Sequence, residues 1–187
     1  MLTFLIGGAR SGKSALALQF ARAGTAPVTF IATAQARDAE MSDRISVHRS
    51  QRPPAWSTVE APLDLDRALR DEPERTTVVI DCLTVWVANL IEAGDDDGVV
   101  ARAAEDVARR AGDRPGHVVV VSNEVGSGLV PMEALSRRYR DLLGRVNTTF
   151  CDHAGQALLV VAGRVVPLLP LPVPLPVVPA QSMSPFP

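Results

Sequence analysis

Leu2-Thr3-Phe4-Leu5-Ile6 runs directly into Gly7-Gly8-Ala9-Arg10-Ser11-Gly12-Lys13-Ser14, and Ala15-Leu16-Ala17-Leu18-Gln19-Phe20-Ala21 follows. The first five residues read as a strand and the last seven as part of a helix. The segment between them matches G-x-x-x-x-G-K-[ST]. That match carries meaning only between a strand and a helix, where backbone N–H groups and the helix N-terminus converge on phosphate oxygens. Both flanks are right. Gly7, Gly8 and Gly12 allow close backbone approach, Lys13 can bridge terminal phosphates, and the Ser14 hydroxyl can join a Mg²⁺ shell. The loop is therefore expected to wrap a polyphosphate.

Working outward, three more short apolar runs recur: Val28–Ala32, Val78 to Ile80 and Val118 to Val121. Buried parallel strands read this way. Residues 13–23, 38–52, 63–71, 83–93, 99–111 and 132–152 mix apolar and charged positions at helical spacing. The alternating β/α order predicts an open, doubly wound α/β sheet. With the phosphate loop, the expected class is a P-loop NTPase of RecA-like type. Ala157 to Val161 and Val165 to Leu168 flank Ala162-Gly163-Arg164, which suits a terminal hairpin and one antiparallel edge strand on a mostly parallel sheet.

The 187 residues are enough for one sizeable core, placed at 1–166. Beyond Val166 come Pro167, Pro170, Pro172, Pro174, Pro176 and Pro179 with Leu and Val but no charge. Such density removes backbone donors and favours extended polyproline, so 167–187 is expected to be a disordered tail; a peptide ligand is the second reading. Apolar content of 47%, 21% charge and a net charge of −2 suit an ordinary globular protein without a nucleic-acid surface. Cys82 and Cys151 follow no disulfide or zinc pattern. Without an export signal or an apolar run of membrane-spanning length, a cytoplasmic setting is expected. Asp95-Asp96-Asp97-Gly98 reads as a solvated loop between helices.

Phosphate chemistry also calls for a carboxylate near the metal, and the run Thr76-Thr77-Val78-Val79-Ile80 ends on Asp81. Asp81 reads either as that acid, acting directly or through water, or as a cap for the helix from Leu83. Ser122-Asn123-Glu124 ends the next strand and reads as site wall, since strand ends of such sheets face the ligand crevice. His48 stands with Arg44 at i−4, Arg49 at i+1 and Arg52 at i+4. On a helix Arg44, His48 and Arg52 share a face. Neighbouring cations lower an imidazole pKa and favour its nucleophilic form; the alternative is an exposed histidine on a charged helix. His117 and His153 read as surface or structural positions.

The chain resembles the bifunctional adenosylcobinamide kinase and adenosylcobinamide-phosphate guanylyltransferase family of cobalamin biosynthesis. The resemblance is carried by the loop from Gly7 to Ser14, by Ile31-Ala32-Thr33-Ala34-Gln35 and by Arg44-Ile45-Ser46-Val47-His48-Arg49-Ser50-Gln51-Arg52-Pro53. It continues through Trp56-Ser57-Thr58-Val59-Glu60, Asp81-Cys82-Leu83-Thr84, Asn123-Glu124-Val125-Gly126-Ser127-Gly128-Leu129-Val130-Pro131 and Arg138-Tyr139-Arg140-Asp141-Leu142-Leu143-Gly144-Arg145-Val146-Asn147. These blocks run in the family's order from residue 4 to about 166.

The resemblance implies two steps. The terminal hydroxyl of adenosylcobinamide first attacks the γ-phosphate of ATP or GTP. A histidine, matched by His48, then attacks the α-phosphate of GTP, releases pyrophosphate and holds GMP until the substrate phosphate takes it. It also implies nucleotide contacts from the whole loop (Gly7, Gly8, Ala9, Arg10, Ser11, Gly12, Lys13, Ser14), from Thr33, Ala34 and Gln35, from Arg49, Ser50, Gln51 and Arg52, and from Glu60 and Asp81. Lys13 would be catalytic, Ser14 and Asp81 would serve Mg²⁺, and the assembly would be a homotrimer. Glu60 could accept from the two N–H donors of a guanine edge. The chain departs from the pattern at Val47, where some relatives carry a second histidine, and at Asp81, where some have Glu; the proline-rich tail lies outside the family's usual extent. A P-loop ATPase, a nucleotide switch and a kinase-only member are the alternatives.

Overall fold

The computed structural model describes residues 1–36, 43, 45, 46, 49, 50 and 52–170. Most of the expected helix 38–52, including Arg44, His48 and Gln51, lies outside the described residues, as does the tail from 171 onward.

Twelve elements alternate along the described chain. β1 (Leu2–Gly7) leads to α1 (Lys13–Arg22), β2 (Val28–Ala32) and β3 (Ser57–Glu60). Next come α2 (Leu65–Asp71), β4 (Thr77–Asp81), α3 (Leu83–Glu92) and α4 (Asp97–Asp113). β5 (Val118–Asn123), α5 (Ala134–His153), β6 (Gln156–Val161) and β7 (Arg164–Leu168) complete the order. The strands form one seven-stranded sheet in the order β3-β2-β4-β5-β1-β6-β7. All pairings are parallel except β6 with β7. This is the expected architecture.

The period of two along each central strand divides the core between the two faces. Leu2, Phe4, Ile6, Val78, Ile80, Val118 and Val120 point to the face covered by α2, α3, α4 and α5, whose Trp86, Val107, Leu143 and Phe150 join the same cluster. Leu5, Val79, Val119 and Val121 point the other way and pack with Ala17, Leu18 and Ala21 of α1. Each such side chain, when fully buried, contributes roughly 1.5–3 kcal/mol. The buried apolar side chains of the sheet are concentrated in β1, β2, β4 and β5, which include the strands whose ends carry the loop and Asp81.

At the C-terminus, Val161 pairs with Arg164 and Ala162-Gly163 form a two-residue turn with φ of 49° and 71°. Positive φ at both central residues is what a tight hairpin demands. The strand continues through Pro167, opposite Leu158, to Leu168, two residues past the boundary set at 166. An edge strand tolerates proline because one side of it needs no donor. The acidic run is more structured than a solvated loop. Asp96 caps α4 by accepting from Val99 N–H at 2.8 Å, and Asp97 opens the helix and pairs with Arg138 at 2.7 Å. Carboxylates at a helix start satisfy orphan amides and complement its dipole, so the helix begins two residues before the apolar periodicity does.

Candidate active site

The loop after β1 is shaped by two glycines with different tasks. A Cβ on Gly7 would meet the Val160 carbonyl oxygen of β6 at 2.2 Å, so this glycine is required by strand packing. Gly12, the N-cap of α1, has φ 106° and ψ 2°, a left-handed conformation open to glycine at little cost. It turns the chain so that α1 starts at Lys13 with its N-terminus facing the loop. The β6–β7 turn supports the loop from outside: Gly163 N–H donates to Ser11 O at 2.9 Å.

Lys13 is buried at 6% exposure, and its ammonium donates to Gly7 O (2.9 Å), Gly8 O (2.7 Å) and Ser11 Oγ (3.3 Å). The three contacts match the three donors of an ammonium. Burial pushes its pKa below the ordinary lysine value, opposed by the charges of Cys82, when ionised, and Asp81. The Cys82 thiol itself is pushed up to about 11 by burial and by Asp81, so at neutral pH Asp81 is the charge that supports Lys13.

Asp81 ends β4, and a buried clamp holds its peptide. Thr33, fully buried, donates its hydroxyl to Cys82 O (2.8 Å) and accepts from Cys82 N–H (2.9 Å), while its own N–H donates to Asp81 O (3.3 Å). Asn89 of α3 donates its amide to Thr33 O at 2.9 Å and to Pro62 O at 3.0 Å. The N-cap of α3 is Cys82, so Asp81 is not the capping residue. Thr33 therefore serves the end of β4 and is not part of the cavity wall.

A cavity of about 520 Å³ opens at the carboxyl ends of the strands. Of the expected residues, Ala9, Arg10, Ser11, Gly12, Lys13, Ser14, Ala34, Arg52, Asp81 and Asn123 line it, whereas Ser122 and Glu124, also expected on the wall, do not. Gly7 and Gly8 are reached through their carbonyls, which hold Lys13. Gln35, Arg49, Ser50 and Glu60 are exposed and outside the lining, Glu60 ending β3 opposite Ala32. His48 and Gln51 are outside the described residues. Arg52 lies with its guanidinium 3.5 Å from the centroid of the Phe30 ring, and its Nη1 donates to Thr58 Oγ1 at 3.3 Å. Burial lowers its pKa while Asp81 raises it, and among the described residues its buried Nε has no partner.

Phe30, Cys82 and Val85 also line the cavity and were not singled out from the sequence as site residues. Apolar strand and helix residues carry no signal that separates wall from core. Asn89 left a fainter mark, as one polar residue on the buried face of an otherwise apolar helix. Among the described residues no cluster of three or more His, Cys, Asp or Glu could cage a metal, and no helix is long and apolar enough to cross a membrane.

Comparison with known proteins agrees with this geometry. Residues 3–168 match the family model described as cobinamide kinase / cobinamide phosphate guanyltransferase. The bifunctional adenosylcobalamin biosynthesis protein CobP of Pseudomonas aeruginosa is 42% identical over 169 residues, covering 90% of this chain and 97% of the relative. CobU of Salmonella typhimurium, also named a bifunctional adenosylcobalamin biosynthesis protein, is 40% identical over 177 residues, covering 87% of this chain and 97% of that one. Among solved structures, an ATPase of a bacterial type III secretion system superposes with a TM-score of 0.51 at 12% identity, covering 84% of this chain and 50% of its own. That likeness concerns the fold alone.

Proposed function

We propose a function from one premise: this chain belongs to the cobinamide kinase / cobinamide phosphate guanyltransferase family. It phosphorylates the terminal hydroxyl of adenosylcobinamide with ATP or GTP, then transfers GMP from GTP to the product, giving adenosylcobinamide-GDP. The observation that carries this reading is the convergence of Lys13, Asp81 and Arg52 on one cavity at the strand ends.

In the first step the substrate hydroxyl attacks the γ-phosphorus and the nucleoside diphosphate leaves. Lys13 exchanges its loop carbonyls for phosphate oxygens, and Arg10 lies on the same wall. Positioning and charge supply nearly all of such catalysis. In the second step neutral His48 attacks the α-phosphorus of GTP, forming an N–P bond as pyrophosphate departs. The substrate phosphate then displaces the imidazole, a good leaving group once protonated. Arg49, Ser50, Gln51 and Arg52 flank the nucleotide, Ala34, Gln35 and the backbone beside Thr33 contact it, and Glu60 accepts from the guanine edge.

Ser14 and Asp81 supply two hard oxygen donors on one cavity, a set that suits Mg²⁺, which keeps waters and phosphate oxygens in its shell. When bound, it withdraws charge from the phosphates. The enzyme works in the cytoplasm as a homotrimer, without nucleic acid.

Incubation with α-labelled GTP gives an acid-labile, alkali-stable label on the wild-type protein and none on His48→Ala. Absence of label under all conditions would sink guanylyl transfer and leave a kinase. Lys13→Ala abolishes phosphorylation of adenosylcobinamide by γ-labelled ATP; retained activity contradicts the role of the loop. Sedimentation equilibrium gives three times the chain mass, and a monomer removes the trimer.

A further inference from the structure

Asn123 closes β5 directly opposite Gly7 of β1 in the strand register. Its backbone is held from three directions. Its N–H donates to Thr84 Oγ1 of α3 at 2.9 Å, and its carbonyl accepts from Asn147 Nδ2 of α5 at 3.1 Å. The next residue's N–H donates to Gly7 O at 3.1 Å, the same oxygen that accepts from Lys13 Nζ at 2.9 Å. The peptide after Asn123 and the Lys13 ammonium thus meet on one atom of the phosphate loop.

The side chain is treated differently from the backbone. Asn147 and Asn89 are buried, and their carboxamides are bonded, Asn147 to Asn123 O and Ser122 Oγ, Asn89 to Thr33 O and Pro62 O. The half-buried Asn123 carboxamide has no hydrogen-bond partner among the described residues, and Asn123 lines the 520 Å³ cavity beside Lys13. A partly desolvated amide without a partner is costly unless a ligand completes it. Two helices hold the main chain of the strand end and leave one neutral donor on the wall of the cavity that Lys13 also lines. A carboxylate there would repel the phosphate; a carboxamide does not.

We infer that Asn123 is a catalytic residue of phosphoryl transfer, its Nδ2 donating to an equatorial oxygen of the terminal phosphoryl group. The inference rests on the kinase reading above. In the step it serves, a lone pair of the substrate hydroxyl forms the new O–P bond. The bond from the γ-phosphorus to the β–γ bridging oxygen breaks, its electron pair leaves on the nucleoside diphosphate, and the hydroxyl proton passes to solvent. Charge shifts over the equatorial oxygens during this exchange, so a fixed donor acts most strongly there. The reacting centre of guanylyl transfer is the α-phosphorus, two phosphates away.

Kinetics with γ-labelled ATP and adenosylcobinamide test this. Asn123→Ala lowers kcat by roughly 10- to 100-fold, as expected for one hydrogen bond to a charged group, with a much smaller change in KM for ATP. Asn123→Asp keeps the shape and adds a like charge, so its kcat falls below that of the alanine variant. In parallel, labelling by α-labelled GTP falls in the alanine variant by at least tenfold less than phosphorylation does. Equal loss of both activities, an aspartate variant more active than the alanine one, or an alanine variant with wild-type kcat would each overturn the inference. If the wild-type protein fails to phosphorylate adenosylcobinamide while binding ATP, the kinase reading itself has failed, and the inference falls with it. Thermal denaturation of both variants identifies a loss that comes from folding.

Discussion

Gly7 and Gly8 stand side by side in the loop yet face different constraints. The added Cβ of Gly7→Ala would lie 2.2 Å from the Val160 carbonyl, backbone against backbone, whereas a Cβ on Gly8 meets nothing within 4 Å. Overpacking of this kind costs about 3 kcal/mol, at the upper end of the usual range, because neither strand can yield without breaking its pairing. Urea denaturation is expected to find Gly7→Ala destabilised by that amount and Gly8→Ala by less than about 1 kcal/mol, in the range of an exposed substitution. Equal effects would remove the packing account of Gly7. The motif requires glycine at position 7 and accepts any residue at position 8. The neighbouring strand supplies the physical reason.

At the scale of elements, the end of β4 is held to β2 and α3 through Thr33. Thr33→Val preserves shape but leaves Cys82 N–H and Cys82 O without their partner. Each orphan costs roughly 1–3 kcal/mol, so denaturant midpoints should fall further for valine than for serine, which keeps the hydroxyl and loses one buried methyl worth about 1 kcal/mol. Phosphorylation should fall with the valine variant, since Asp81 is carried by the same peptide. An unaffected Thr33→Val would show that the clamp does not hold this turn. The strands and helices themselves were legible from period and punctuation in nearly every case. The boundaries that shifted did so for local reasons: Asp96 and Asp97 start α4 ahead of its apolar stripe, and Pro167 is tolerated on an edge. Thr33 shows the limit of reading a block by resemblance. Its place beside Ala34 and Gln35 suggests ligand contact, yet its hydroxyl is engaged with Cys82, a residue 49 positions away.

For the molecule as a whole, contacts at the amino-terminal ends of the central strands tie the chain start to the entry of β5. The Met1 ammonium donates to Arg114 O at 3.0 Å and to Gly116 O at 3.4 Å, and Thr3 Oγ1 lies 2.9 Å from His117 Nε2. Burial lowers the His117 pKa, and the charged chain terminus lowers it further. With a folded value below the unfolded one of about 6.5, the unfolded chain takes up the proton first as pH falls. The contribution of neutral His117 is thus complete above about pH 6.5 and is lost as pH drops through its folded value. Urea titrations of the wild type should show stability declining over that window, and His117→Gln should flatten that part of the profile. An unchanged profile would mean that His117 is not a source of the decline.

The phosphate loop, the alternating β/α order, the family and the candidacy of Lys13 and Asp81 were legible without any fold, because they depend on local spacing and residue chemistry. The tertiary structure decided which candidates share a cavity. It set Ala34 on the wall and Thr33 behind it, brought Arg52 over Phe30, and aligned Asn123 with Gly7 across β1 and β5. Those relations depend on strand order and register, which join residues more than a hundred positions apart through backbone hydrogen bonds that nearly any side chain permits. Local pattern therefore identifies the groups, and long-range pairing determines what each of them faces.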